Sequence, residues 1–195
     1  MGDEVSQDHF DENDYRLFRH RLGQEMDFMR QLFADKNFDN RQRRFGYELE
    51  LCLVDADGLP APRNEQVLKR ADNRQFTYEL AKYNLEINGN AFDVQAKVFE
   101  QIEQDLKRLY REVERAAACF DVKVGMFGVL PSLSWQYLDP QPYMSNMYRY
   151  RLLNQRLMQM RQRAVRMEIH GEENLLVEKN DVMLEALATS LQVHL

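Results

Sequence analysis

The segment from Phe45 to Val54 alternates apolar and acidic residues, and this pattern limits the folds that the chain can adopt. Successive side chains of a β-strand point to opposite faces, so Leu49 and Leu51 are expected on one face. Glu48 and Glu50 would then lie on the other face, about 6–7 Å apart. Two carboxylates so placed repel each other unless a cation lies between them. The pattern predicts a sheet with one apolar face and one acidic face that is suited to a cation.

A second segment, from Tyr78 to Asn88, has the same character. In one continuous strand, Asn84, Glu86 and Asn88 would share a face. Glu79 precedes Glu86 by seven residues and would therefore point to the opposite face. It reaches the acidic face if a bulge re-aims the chain, and otherwise it has a different role.

These glutamates are suited to bind a hard cation. Ions such as Mg²⁺ take oxygen ligands, commonly carboxylates together with substrate phosphates and water. Glu48, Glu50 and Glu86 are candidate ligands, and His194 could add one nitrogen. The same alternation is also typical of a polar, solvent-facing side of an edge sheet. The residues alone leave both interpretations open.

The rest of the chain favours an α+β fold with a largely antiparallel sheet and flanking helices, because strand and helix patterns alternate irregularly. Amphipathic spacing predicts long helices over residues 14–35, 95–120 and 146–162. The last residues, 189–195, are typical of the inside of a strand. A strand that ends there would lack a partner for its backbone groups. The fold is therefore expected to be incomplete, with this chain forming the N-terminal portion of a larger protein.

The overall composition restricts the class of function. The chain has 195 residues, of which 44% are hydrophobic, and a formal net charge of −6. This acidic balance disfavours a dedicated nucleic-acid-binding protein, whose surface is normally basic. No run approaches the roughly 18 consecutive apolar residues that span a bilayer, and the polar N-terminus does not resemble a secretory signal. Cys52 and Cys119 lack metal-site spacing, so buried free thiols in a reducing cytoplasm are expected.

Four motifs, in this order, resemble those of the glutamate–cysteine ligase-like carboxylate–amine ligases. The stretch Phe45-Gly-Tyr-Glu-Leu-Glu-Leu51 is similar to the G-x-E-x-E strand of that family. The segment from Tyr78 to Asn88 is similar to its E-L-x-x-x-x-x-E-x-N/T element. Tyr148-Arg149-Tyr150 resembles its R-Y element, and the stretch from Ala188 to Leu195 resembles its S/T-x-Q-V-H/N strand.

The resemblance implies a glutamine-synthetase-like fold, in which an antiparallel sheet holds Mg²⁺ ions between a nucleotide and an amino acid. It implies that Arg149 contacts substrate or phosphate. It also implies a reaction in which ATP phosphorylates a glutamate side chain and an amine such as cysteine then forms the amide. The metal ligands implied by the resemblance are Glu48, Glu50, Glu79, Glu86 and His194.

On this interpretation the chain divides into a disordered acidic tail (1–13), an amphipathic helix with a linker (14–40) and the N-terminal part of a catalytic domain (41–195). Family members continue past the S/T-x-Q-V-H strand, and the later part supplies further metal, nucleotide and catalytic residues. Little or no ligase activity is therefore expected from residues 1–195 alone. The expected partners are glutamate, an amine and ATP, with no nucleic acid or membrane and with a possible homo-oligomer. The alternative is a non-catalytic relative that keeps the fold as a metal-binding, nucleotide-binding or regulatory module.

Overall fold

A computed structural model describes residues 4–7, 9–38 and 43–195. Parts of the predicted tail (1–3 and 8) and the predicted boundary at 40/41, within residues 39–42, lie outside the described residues. The described part has an α+β fold with five α-helices and a mostly antiparallel sheet, so the predicted fold class is confirmed at that level. The helices are α1 (Glu12–Ala34), α2 (Asn64–Ala71), α3 (Val98–Ala118), α4 (Pro140–Tyr143) and α5 (Tyr148–Arg161). The strands are β1 (Arg44–Val54), β2 (Phe76–Tyr78), β3 (Asn84–Asn88), β4 (Phe92–Asp93), β5 (Lys123–Gly125), β6 (Val165–His170), β7 (Asn174–Lys179) and β8 (Leu191–His194).

Strand β1 is the centre of a six-stranded sheet. Glu48 pairs with Asn88 of β3 and also with Gln192 of β8, so these two strands lie on opposite edges of β1. The last residues of β1 pair with β5, its first two pair with β4, and β2 pairs with the far edge of β3. Strands β6 and β7 form a separate two-stranded hairpin. All of these pairings are antiparallel, which places the two glutamate-rich strands β1 and β3 side by side.

The apolar face of β1 and β3 carries the main core. Leu51 and Leu85 are fully buried there, as the alternation predicts, and they pack with Leu109 and Val113 of α3. Helix α3 is shorter than the predicted 95–120 helix, and it begins at Val98, directly after Lys97 in a left-handed conformation. Strands β1 and β3 thus pack against α2 and α3 on this face, while their other face carries the glutamates and is itself partly covered, since Glu86 is 4% exposed.

The segment between β5 and α5 contains two short helices. A 3-10 helix, Trp135–Leu138, is followed by α4. A second core lies here, in which Leu138 packs with Tyr83 and Met183. These residues are 45 or more positions apart in sequence, so local patterns cannot indicate that they meet.

Helix α1 has no buried residue. It begins at Glu12, two positions before the predicted start, because Asp11 and Asp14 form a capping box in which each side chain accepts a hydrogen bond from the other's backbone N–H. None of the described helices is both long enough and apolar enough to cross a membrane. Cys52 is buried as expected, whereas Cys119 is exposed, because it follows α3 at its solvent-facing end.

Strand β8 is paired with β1, from Gly46 opposite His194 to Leu49 opposite Leu191. Strand β8 therefore has a partner on one of its edges, because β1 is long enough to hold β8 and β5 end to end, while no strand among the described residues pairs with its other edge. Leu191 lies on the apolar face, yet 57% of it is exposed, since α3 covers β1 and β3 instead.

Candidate metal site

Three carboxylates meet on the face of the sheet opposite the main core. Glu50 of β1 lies directly opposite Glu86 of β3 in the strand register, so the two side chains are neighbours on one face. Glu79 joins them from the segment between β2 and β3. One carboxylate oxygen from each of these residues lies within 4.8 Å of the others.

Glu79 reaches the cluster through a reversal of the chain. The predicted continuous strand from Tyr78 to Asn88 is wrong, because β2 and β3 pair antiparallel, with Thr77 opposite Glu86. Glu79 follows β2 directly, and the turn between the two strands directs its side chain toward Glu86. The chain thus brings the two glutamates together by a different route from the bulge that the sequence left open.

Two buried polar side chains fix this turn. Asn64, at the start of α2, donates from Nδ2 to the carbonyls of Ala81 (3.2 Å) and Asn84 (3.1 Å) and to Ser145 Oγ (2.9 Å). Ser145 Oγ donates in turn to the carbonyl of Glu79 at 2.5 Å. Asn64 and Ser145 are each 1% exposed. Their role could not be read from the sequence, because both lie far from the turn along the chain.

Burial and mutual repulsion shift the protonation of the cluster. Burial, followed by the nearby Glu86 and Glu50, raises the pKa of Glu79 to about 8. Burial also raises the pKa of Glu86, and the charge of Glu48 adds to this shift. In the absence of a cation, burial and mutual repulsion therefore favour the protonated form of these two carboxyl groups.

The other predicted ligands lie beside the cluster. Glu48 Oε2 is 3.5 Å from His194 Nε2, and the imidazole is more exposed than the carboxylate. Strand β8 also contacts Glu50, which accepts hydrogen bonds from Ser190 N (3.0 Å) and Gln192 Nε2 (3.3 Å). Glu48 and His194 therefore form a pair next to the three-carboxylate cluster.

Arg149 contacts the turn that carries Glu79. Its Nη2 donates to the carbonyl of Tyr78 (3.0 Å) and to the hydroxyl of Tyr150 (2.9 Å). This geometry places the predicted substrate-contacting arginine next to the cluster, and its contact with substrate stays a prediction.

Asn84 adds a further oxygen on this side of the sheet. It shares a face of β3 with Glu86 and is almost fully buried. Its Nδ2 donates to the carbonyl of Ala186 (3.2 Å), while Oδ1 has no hydrogen-bond partner among the residues that the structure describes. A buried amide oxygen without a donor is suited to a cation or to a ligand that carries an N–H or O–H group.

The chain matches no protein-family model, no curated protein and no solved structure.

Proposed function

We propose that this chain provides the acidic wall of a divalent-cation site in an ATP-dependent carboxylate–amine ligase of the glutamate–cysteine ligase type, with a glutamine-synthetase-like sheet. The observation that carries the proposal is that Glu50, Glu79 and Glu86 lie together on one face of the sheet, with one carboxylate oxygen of each within 4.8 Å of the others. These residues come from two strands and a turn, and they correspond to two of the four motifs on which the family resemblance rests.

The donor set fits a hard cation. Three carboxylates offer oxygen ligands of the kind that Mg²⁺ binds, and Asn84 contributes a buried oxygen on the same side of the sheet, without a hydrogen-bond partner in the described part of the chain. The raised pKa of Glu79 indicates that the cluster lacks sufficient positive charge of its own. A divalent ion would displace the retained proton and offset the repulsion.

In the proposed reaction, bound Mg²⁺ would neutralise the phosphate oxygens of ATP as the phosphoryl group moves to glutamate. Glu50, Glu79 and Glu86 would hold the ion against the sheet. Glu48 and His194 would extend the ligand set along β1 and β8. The chain's own contribution is thus a rigid arrangement of oxygens, fixed by strand register and by the turn before β3.

Binding of Mn²⁺, followed by electron paramagnetic resonance, tests the metal site. Replacement of Glu50, Glu79 or Glu86 by Gln is expected to lower the affinity by about tenfold or more, because each change removes one charged ligand while keeping the side-chain shape. Glu172→Gln, in the exposed turn after β6, is the matched control and should leave the affinity unchanged. Equal Mn²⁺ affinity in all four variants and the wild type would exclude this site.

Binding of ATP and glutamate separates the ligase from a non-catalytic relative. For the ligase we expect Mg²⁺-dependent ATP binding that tightens when glutamate is added, because both substrates meet at the ion. A metal-binding or regulatory module predicts ATP binding that glutamate does not change. We also expect little or no amide formation from ATP, glutamate and cysteine by this chain alone. Detection of the amide by mass spectrometry would overturn that expectation.

A further inference from the structure

The first turn of α5 holds the backbone next to Glu79. Arg149 and Tyr150 are both half-buried, and both donate to one acceptor, the carbonyl oxygen of Tyr78. The distances are 3.0 Å from Arg149 Nη2 and 2.8 Å from the Tyr150 hydroxyl. Arg149 Nη2 also donates to that hydroxyl, and the guanidinium carbon lies 4.7 Å from the centroid of the Tyr150 ring. The two side chains and the carbonyl form a closed hydrogen-bonded triangle.

This triangle acts on the peptide unit that enters Glu79. The carbonyl of Tyr78 belongs to the planar group that joins Tyr78 to Glu79, so holding its oxygen fixes the direction in which Glu79 leaves β2. On the other side, Ser145 Oγ donates to the carbonyl of Glu79, and Ser145 N donates to the carbonyl of Leu80 (2.8 Å). The peptide units on both sides of Glu79 are therefore held from one stretch of chain, residues 145–150.

A carboxylate in this position needs such restraint. One carboxylate oxygen of Glu79 lies within 4.8 Å of oxygens of Glu86 and Glu50, so these groups repel each other when they are ionised. A free turn would relieve this repulsion by moving the Glu79 side chain outward. Tyr150 can oppose that movement at any ordinary pH, because burial and the nearby Glu79 raise the pKa of its hydroxyl and keep it a hydrogen-bond donor.

We infer that Arg149 and Tyr150 are positioning residues. Their hydrogen bonds to the carbonyl of Tyr78 hold Glu79 within the three-carboxylate cluster. The functional role of these two hydrogen bonds rests on the proposed metal site, but their effect on the position of Glu79 does not. On this inference Arg149 and Tyr150 act by holding the backbone next to Glu79. This role differs from the contact with substrate or phosphate that the family resemblance implies for Arg149.

The first test compares two identical substitutions that lie two residues apart. Tyr150→Phe removes the hydroxyl that donates to Tyr78 and keeps the ring, whereas Tyr148→Phe changes an exposed side chain in the same helical turn. In the metal-free protein, NMR titration of ¹³C-labelled glutamate side chains should show the pKa of Glu79 falling by about one unit or more in Tyr150→Phe, from about 8 toward its ordinary value. Tyr148→Phe should leave it unchanged. An unchanged Glu79 titration in Tyr150→Phe would overturn the inference.

The second test uses Arg149→Lys and Arg149→Met. A positioning role predicts that Mn²⁺ affinity falls by about 10–100-fold in Arg149→Met, as for other groups that orient a metal ligand. Arg149→Lys, which keeps a charged donor, should restore part of it. If both variants keep the wild-type Mn²⁺ affinity and Glu79 titration but lose ATP binding, Arg149 contacts the nucleotide and the inference is wrong.

The two proposals can fail separately. If the wild-type chain binds no divalent cation, the proposed function fails, and the titration of Glu79 in the metal-free protein still decides whether Arg149 and Tyr150 hold the turn. If Mn²⁺ binds and Tyr150→Phe leaves the Glu79 titration unchanged, the metal site stands and the positioning role is lost. Circular dichroism of each variant checks that the fold is retained.

Discussion

The two faces of β1 and β3 share one backbone but have opposite chemistry. On one face Leu51 and Leu85 are directly opposite each other and fully buried beneath α3. On the other face the next pair in the register is Glu50 and Glu86. The apolar pair stabilises the fold, whereas the acidic pair lowers its stability and is the basis of the proposed cation site. Alternation along a strand allows one short segment to do both.

Typical interaction energies show how many of the three carboxylates can be ionised at once. Burying a leucine side chain stabilises a protein by about 1.5–3 kcal/mol. Two unit charges 4 Å apart near a protein surface repel by about 4 kcal/mol at an effective dielectric constant of about 20. These terms are of the same order, so three fully ionised carboxylates would cancel much of what the opposite face contributes. A retained proton or a bound cation prevents this.

The largest expected effect concerns the apolar face. Leu51→Ala should lower the free energy of unfolding by about 2–5 kcal/mol, because it leaves a cavity beneath α3. Leu191→Ala, on the same face of the sheet but at β8, should cost less than about 1 kcal/mol, since 57% of that residue is already exposed. Urea unfolding followed by circular dichroism measures both. Similar losses would mean that the apolar face is covered evenly.

The next effect concerns the pH dependence of the acidic face. The pKa of Glu79 is about 8 in the folded protein, from an ordinary value of 4.5, so between these values the folded state binds more protons than the unfolded state. The stability that this proton contributes is fully present below about pH 4.5, and it is lost as the pH rises through about 8. Stability of the metal-free protein should fall across this window by up to about 1.4 kcal/mol per pH unit.

Glu79→Gln is the control for this pH dependence. It should flatten the curve of unfolding free energy against pH, because the side chain no longer titrates. Thermal unfolding at a series of pH values measures both proteins. An equally steep curve in Glu79→Gln would assign the dependence to other groups.

The smallest expected effect concerns the edge of the acidic face. Gln192→Ala removes the 3.3 Å hydrogen bond to Glu50 and should cost about 0.5–1.5 kcal/mol or less. It should also weaken Mn²⁺ binding less than Glu50→Gln does, because Ser190 N still donates to Glu50. Isothermal titration calorimetry compares the two variants. An equal loss of affinity would place Gln192 among the ligands themselves.

Local pattern predicted the two faces of β1, because strand alternation depends only on neighbouring residues. It also predicted that Glu86 lies on the acidic face. The position of Glu79 could not be predicted, since the turn that re-aims it depends on Asn64, Ser145 and the first turn of α5. The same limit applies to α1, whose amphipathic spacing correctly predicts a helix although none of its residues is buried. Periodicity indicates which side of an element is apolar, while tertiary contacts decide whether that side is covered.

The pairing of β1 with β8 has a consequence for synthesis of the chain. Leu49 pairs with Leu191, so this edge of β1 stays unpaired until about 140 further residues have been synthesised. At ribosomal rates of about 5–20 residues per second, this takes about 7–30 s. An open apolar strand is prone to pair with other nascent chains, and charged side chains along it oppose such pairing. Glu48 and Glu50 lie on or next to the part of β1 that later pairs with β8. We therefore expect their charge to oppose pairing with other chains before the sheet closes.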